Sequence, residues 1–271
     1  MNAIVLGMHR SGTSAVTRAT SLLGLPLGRS GDVYAAPDNP NGHWESNSLC
    51  LANELILSQF HGSFTFPPRL RNGWEYSPKA EALILQLKAL FFDVHQTDTW
   101  LWKDPRLALT LPIWRRILPD FCAILVIRNP RAVADSIHSR DGLPLPYCYA
   151  LWDRYNRAAV AVIRGLPVVV VNFDAMEQDP QGECERLADG LVSLGVDVSG
   201  SRELAAESIN SRSVPALDGV YRSSADLWER LQSLPRVSSQ FNPPPIPRSP
   251  LWVDTAMRTA RVWSLRSALA S

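Results

Sequence analysis

The segment Gly7-Met8-His9-Arg10-Ser11-Gly12-Thr13-Ser14 follows an apolar run and opens directly into a helical pattern. A strand, a glycine-containing turn and a helix N-terminus together cradle an anion, because successive backbone N–H groups and the positive end of the helix dipole point at one spot. Gly7 and Gly12 have the spacing that opens a GxxxxGK[ST] phosphate loop, but Thr13 stands where that motif needs its lysine. The loop therefore suits a smaller 5′-phosphate group, with Arg10 as the local cation. A Gly-Ser turn that merely closes a strand-helix unit is the alternative for this loop taken alone. A second cluster begins with Arg128, which ends the run Ala123 to Ile127, where open α/β sheets bind their ligands. Ser136 and Arg140 lie four apart on one face of the following helix, so strand end and helix can converge on a second anion. An arginine so placed can equally cap carbonyls or pair with an acid.

Three short apolar runs rich in β-branched residues, Ala3 to Leu6, Ala123 to Ile127 and Val168 to Val171, read as the buried parallel strands that hold these loops. After the first, Ala15, Val16, Ala19, Leu22 and Leu23 make one apolar helical face that ends near Gly24 and Pro26. After the second, Pro130 sits where a first helical turn tolerates proline, and Val133 and Ile137 continue the face. The alternation implies an α/β fold, a three-layer sandwich with a central parallel sheet flanked by helices, P-loop-kinase-like. Further helices are expected over Ser46 to Phe60, Pro78 to His95, Tyr149 to Arg164 and Gln181 to Leu194; beyond Ser199 the pattern weakens, through a segment with Ser, Asn and Arg and then Leu227 to Leu234. Trp100 to Leu118 starts strand-like and turns helical around Pro112. Residues 1–240 read as one domain. Residues 241–271 read as a proline-rich linker or lid, with Pro243, Pro244, Pro245, Pro247 and Pro250, and an amphipathic helix from Trp252 to Leu269 that packs on the domain or on a partner.

With 271 residues, 46% of them hydrophobic and 20% charged, the chain has an ordinary globular composition and enough length for a large core. Lys and Arg total 27 against 26 Asp and Glu, which excludes a protein built to coat nucleic acid or an anionic membrane. Any bound anion must be met by locally placed groups. The cations comprise 24 Arg and only three Lys, and of Lys79, Lys88 and Lys103 only the last lies in a motif. Cys50, Cys122, Cys148 and Cys184 have neither metal-ligand nor disulfide-framework spacing, so no metal site is expected. The first residues lack the pattern of a signal peptide, and no apolar run approaches the roughly 18 residues of a membrane span, so a cytoplasmic location without membrane insertion is expected.

Together the two motifs resemble the sulfotransferase family that uses 3′-phosphoadenosine 5′-phosphosulfate (PAPS). The segment His9-Arg10-Ser11-Gly12-Thr13-Ser14 is similar to that family's 5′-phosphosulfate loop, and Arg128 with Ser136 eight residues later is similar to its 3′-phosphate site. Arg10, and Arg140 twelve residues after Arg128, further resemble the bacterial carbohydrate-type and tyrosylprotein-type branch. The resemblance spans roughly residues 3 to 180. It implies PAPS as co-substrate, no required metal, and in-line sulfuryl transfer to a hydroxyl of a carbohydrate, lipid or secondary metabolite.

Such a transfer must take the acceptor proton, stabilise the sulfuryl oxygens and neutralise the departing phosphate oxygen. The resemblance assigns the first task to Glu45, at the end of the turn Asn39-Pro40-Asn41-Gly42-His43-Trp44, with His43 as a second candidate. A plain acidic charge at a helix start is the alternative for Glu45. In Trp100-Leu101-Trp102-Lys103-Asp104-Pro105-Arg106, Lys103 matches the lysine that contacts the transferring group, and Arg10 acts from the other side. Asp104 orients Lys103 or a loop, and Arg106 pairs with an acid or faces the acceptor. Trp44, Trp74, Trp102 and Trp152 either line an acceptor cleft or simply pack. Acceptor choice depends on the insertion Phe60 to Asn72 and on the weakly patterned C-terminal third, and Asn172-Phe173-Asp174 reads as a structural turn. Two other classes remain open: a P-loop kinase of a small metabolite, disfavoured by Thr13, and a nucleotide-binding protein without chemistry, against which Glu45 and Lys103 argue.

Overall fold

The computed structural model describes residues 1–32, 44–211 and 213–259. β1 (Asn2–Gly7) runs into α1 (Thr13–Leu22); α2 (Asn47–Gln59) and α3 (Pro78–Val94) then lead to the short β2 (Leu101–Lys103). α4 (Leu107–Trp114) connects to β3 (Phe121–Ile127), and α5 (Pro130–Asp141) and α6 (Leu145–Val162) to β4 (Val168–Asn172). α7 (Phe173–Gln178), α8 (Pro180–Ser193), α9 (Arg202–Glu207) and α10 (Arg222–Gln232) precede β5 (Val237–Ser238). The strand order is β2-β1-β3-β4-β5, with the first four parallel and β5 antiparallel to β4. The fold is thus α/β with a mostly parallel central sheet, as the alternation implies.

Side-chain alternation along the strands divides the core. Ile4, Leu6, Ala123, Leu125 and Ile127 face one layer, with Phe91, Trp102, Trp114, Trp152 and Tyr155. Ala3, Val5, Cys122, Ile124 and Val126 face the other, with Val16, Ala19, Leu187 and Leu191. Strands buried on both faces read as unbroken apolar runs, which is why these three are conspicuous in the sequence. β5 is not: it is two half-buried residues at the sheet edge, too short for any periodicity.

Chain order reverses between β1 and β3. β2 lies to one side of β1, and the chain returns to place β3 on the other. In open α/β sheets the crevice outside the carboxyl ends at such a point is where ligands bind. The loop after Gly7 and the residues after Ile127 both leave the sheet there.

Several elements differ from the expected boundaries for local reasons. α4 starts at Leu107 and contains Pro112 rather than beginning there. Its first turn is fixed by Asp104, whose carboxylate accepts from the Arg106 N–H at 2.8 Å. α6 begins four residues before Tyr149, with a proline in its first turn. Asn172 is more than a turn residue, since its side chain accepts from the N–H groups of Asp174 and Ala175 and caps α7. The chain after residue 240 docks on the domain: Phe241 is fully buried and exchanges backbone hydrogen bonds with Gly165 and Leu166 at 2.8 and 2.9 Å. Residues 251–259 are helical, and Trp252 stacks on Tyr221 at 4.3 Å between centroids. The part of the expected terminal helix beyond residue 259 lies outside the described residues. Among the described residues, no helix is long and apolar enough to cross a membrane.

Gly12, the residue before α1, shows how tightly the cradle is built. Its φ is 87°, and a Cβ there would sit 2.3 Å from the Phe173 ring. Gly12→Ala is expected to cost roughly 2–3 kcal/mol, combining left-handed strain of about 1–2 kcal/mol with the clash. In a Phe173→Ala background only the strain part should remain. Equal costs in both backgrounds by urea denaturation would exclude the Phe173 contact as the cause.

Candidate active site

Arg10 adopts φ 66°, an uncommon conformation for a residue with a side chain, and of the kind that surrounding structure must enforce. Its Nε donates to Ser136 Oγ on α5 at 2.9 Å, and its carbonyl accepts from Arg128 Nη1 at 3.3 Å. The two sequence motifs, 126 residues apart, therefore meet. Within the loop, Ser11 Oγ and His9 Nε2 are buried without a hydrogen-bond partner, and α1 has neither a side-chain cap nor an acid in its first turn. Buried polar atoms are normally satisfied, so the Ser11 hydroxyl and the open helix N-terminus fit an anion seated in the loop.

Lys103 ends β2 with 1% of its side chain exposed. Its Nζ donates to Glu45 Oε1 at 2.5 Å and to Ser14 Oγ, in the first turn of α1, at 3.1 Å. Glu45 is held there by the start of α2. Ser46 Oγ accepts from the Leu49 N–H at 3.1 Å and donates to the Asp32 carboxylate. Asp32 also accepts from the Ser48 N–H at 3.1 Å and from its hydroxyl at 2.7 Å. Burial would raise the Glu45 pKa, but the Lys103 ammonium and the Arg106 guanidinium overcome it and hold the carboxyl near 2. Lys103, Glu45 and Ser14 thus form one polar unit beside the cradle.

Arg106 closes this unit from outside. It bonds Glu54 through Nε at 2.5 Å, and its Nη1 lies 3.0 Å from Asp104 and 3.6 Å from Glu45. Asp104 is fully buried; burial pushes its pKa up, while Arg106 and a 2.8 Å hydrogen bond from Asn53 Nδ2 oppose the rise. Asn53 Oδ1 in turn accepts from Thr110 Oγ1 at 2.7 Å and Trp114 Nε1 at 2.8 Å. Asp104 therefore orients Arg106 and the start of α4 rather than Lys103. Cys50 Sγ donates to Glu45 Oε2 at 3.1 Å, and burial, then the charges of Asp104 and Glu45, keep it a neutral thiol. Glu45, Cys50 and Asp104 cluster closely enough to suggest a metal, but Lys103 and Arg106 already meet these carboxylates.

Other expected residues fall differently. The Arg128 guanidinium turns to Glu177, with Nη2 2.7 Å from the carboxylate, and lies 3.7 Å from Asp174 and over the Phe173 ring. Asp174 Oδ2 accepts from the Asn129 N–H at 2.7 Å. Arg140 bonds Asp141 at 2.6 and 2.7 Å, and its charge is one of the lesser causes that lower the His9 pKa. Burial, and after it the Arg106 charge, push the His9 pKa well down, so the imidazole is neutral. Its ring packs on Phe64 at 4.9 Å and Tyr155 at 5.4 Å. Thr13 is buried. His43 lies outside the described residues. Trp102 and Trp152 are core residues, Trp74 packs edge-on against Phe60, and Trp44 lines a small cavity with Glu45.

Sequence reasoning passed over Asn53, Glu54, Phe64 and Glu177. Asn53 carried a signal, since Leu49, Asn53 and Ile56 fall on one face of α2 and a polar residue there must be satisfied inside. Glu177 carried none, because its role depends on α7 lying beside the end of β3.

No protein-family model and no curated protein sequence matches the chain. Among solved structures, a sulfotransferase domain from the Synechococcus PCC 7002 olefin synthase is similar at 16% identity and a TM-score of 0.43, over 96% of this chain and 94% of that one. A sulfotransferase domain from the curacin biosynthetic pathway is similar at 14% identity and a TM-score of 0.40, over 96% of this chain and 97% of that one.

The Glu45 carboxyl titrates near 2 in the folded chain against 4.5 for an unperturbed glutamate. The unfolded chain therefore takes up this proton first, and the stability Glu45 confers is full above pH 4.5 and disappears as pH falls toward 2. Thermal midpoints of the native chain and Glu45→Gln should differ at neutral pH and converge across that window. A gap that stays constant with pH would mean that Glu45 is not held as an anion.

Proposed function

We propose that this chain transfers a sulfuryl group from PAPS to a hydroxyl of a carbohydrate, lipid or secondary metabolite. The observation that carries the reading is the buried Lys103, which links the anion cradle at Ser14 to the carboxylate of Glu45. An anion site, a cation for the transferring group and a proton acceptor are thereby joined in one polar unit. In the proposed reaction the 5′-phosphosulfate lies in the loop His9 to Ser14, with Ser11 Oγ and the backbone of Gly12, Thr13 and Ser14 around it. The acceptor hydroxyl forms a bond to sulfur and gives its proton to Glu45. The bond from sulfur to the bridging phosphate oxygen breaks, and that oxygen keeps the electron pair. Lys103 and Arg10 balance the charge that develops on the sulfuryl and leaving oxygens. The 3′-phosphate is assigned to Arg128, Ser136 and Arg140.

The kinase reading loses support from two details. Thr13 replaces the phosphate-loop lysine, and the carboxylate of Asp174 is engaged by the Asn129 N–H and Arg128.

Adenosine 3′,5′-bisphosphate, the desulfated donor, should stabilise the chain by about 2.7 kcal/mol at one hundred times its Kd, which for a chain of this size is a midpoint rise of roughly 5–10 °C. No rise at millimolar ligand would overturn the donor assignment. Glu45→Gln should bind the bisphosphate within about threefold of the native chain while losing roughly 100-fold or more in transfer to a working acceptor. Retained turnover would remove Glu45 as the base.

Arg128 needs a separate test because Glu177 already holds it. Arg128→Ala should cost about 3 kcal/mol of stability by stranding a buried carboxylate, and Arg128→Ala combined with Glu177→Gln should recover most of that. Both variants are expected to lose at least tenfold in preference for adenosine 3′,5′-bisphosphate over adenosine 5′-phosphate in calorimetry. A double variant that regains the preference would make Arg128 a brace for α7 alone.

A further inference from the structure

Away from the cradle, a cleft of about 290 Å³ opens between the loop of residues 60–69, α6 and the helix of residues 251–259. Phe66, Tyr147 and Met257 give it apolar walls, and Arg69, Arg154 and Arg258 bring three guanidinium groups to it. Against them stands Asp254, whose Oδ1 is shared by Arg154 at 2.7 Å and Arg69 at 3.1 Å. Arg258 is exposed. Two of the three cations thus share one carboxylate, and Arg258 stands beside them, in a chain whose net charge is only +1. The planar, multidentate guanidinium is the side chain best matched to carboxylate, phosphate and sulfate groups.

The cleft shares both of its long walls with the proposed transfer centre. Tyr147 Oη donates to the Thr65 carbonyl at 2.5 Å, and Tyr155 Oη donates to the Phe64 carbonyl at 2.7 Å, so α6 fixes the loop at two successive residues. Phe64 packs on His9 and lies 5.1 Å from the Arg106 guanidinium, whereas Phe66 lines the cleft and packs on Tyr147 at 5.7 Å. Arg154 and Tyr155 are consecutive in α6 and point about 100° apart around its axis, one to the cleft and one to His9. The two sites therefore flank the same turn of helix.

We infer that this cleft binds an anionic end of the acceptor, a carboxylate, phosphate or sulfate ester carried on an apolar or aromatic body. The inference rests on the transferase reading for the word acceptor, and on the cleft alone for the anion. The charge balance gives it a sign that can be tested in both directions. Removing Asp254 frees two guanidinium groups and strengthens anion binding; removing Arg258 weakens it.

The probe is 1-naphthyl phosphate, with 1-naphthol as its neutral counterpart, titrated in calorimetry into the full chain saturated with adenosine 3′,5′-bisphosphate so that the cradle is filled. Binding of the bisphosphate is measured first. Its failure would count against the transferase reading, and the probe titration on the unliganded chain, scored by its dependence on Arg258 and Asp254, would still decide the cleft. The native chain should bind the phosphate at least tenfold more tightly than the naphthol. Arg258→Glu should weaken the phosphate about tenfold and leave the naphthol unchanged, and Asp254→Asn should tighten the phosphate severalfold. Equal affinity for the two probes, or no change in Arg258→Glu, would overturn the inference. Because Arg258 is exposed, that variant decides the matter even if Asp254→Asn loosens the C-terminal helix.

Discussion

The Lys103 ammonium, shut away from water between Glu45 and Ser14, constrains much of the surrounding structure. An ammonium buried without a partner costs several kcal/mol, and the pair recovers that cost only if its geometry is tight and its remaining protons are satisfied. Lys103 sits on a three-residue strand whose position is fixed by pairing with β1, so it cannot retreat. Glu45 must come to it, and the start of α2 must therefore be pinned, which Asp32 does through Ser46 and Ser48. Arg106 then satisfies the far side of Glu45, and Arg106 needs Asp104, which needs Asn53. One buried cation thus accounts for a chain of polar residues reaching from a strand end through two helices.

The same logic appears at each anion site proposed for the chain. Lys103 is held by Glu45, Arg128 by Glu177, and Arg154 with Arg69 by Asp254. In each case the resting protein already supplies an anion to the cation. At these cations a ligand's phosphate, sulfate or carboxylate would compete with a protein carboxylate, whereas the loop before α1 offers an unpaired hydroxyl and an uncapped helix start. The free energy of such a replacement is a difference between two ion pairs, so it rewards a doubly charged, multidentate oxyanion over a singly charged one. A near-neutral chain can select a highly charged ligand in this way without a large positive field.

How much of this was legible in the sequence depended on whether a feature was local. β1, β3 and β4 are buried on both faces, and their apolar runs announce them. The cradle loop and the helix after Arg128 could be read because strand, turn and cap occur within a dozen residues, and the meeting of Arg10 with Ser136 follows from two adjacent parallel strands ending side by side. Lys103 stood out through the scarcity of lysine. What stayed hidden was partner choice. That an arginine ending a strand can pair with an acid was foreseeable, but naming Glu177 required knowing where α7 lies. Likewise the cleft joins residues 69, 154 and 258, which no local pattern connects.

The low pKa of Glu45 bears on the order of events in the proposed transfer. A carboxylate that titrates near 2 is a weak proton acceptor, and each pKa unit is worth about 1.36 kcal/mol of driving force. Proton abstraction is most efficient when the base titrates near the working pH. The depression comes mainly from Lys103, with Arg106 next, acting against burial that would by itself raise the value. If Lys103 turns from Glu45 to a sulfuryl oxygen in the adjoining cradle, the largest restraint on Glu45 is lifted while the burial stays. The carboxylate then becomes a stronger base when, and only when, the group to be transferred is present. In the proposed transfer, a lysine shared between the cradle and the base would couple donor binding to proton abstraction through the movement of one side chain.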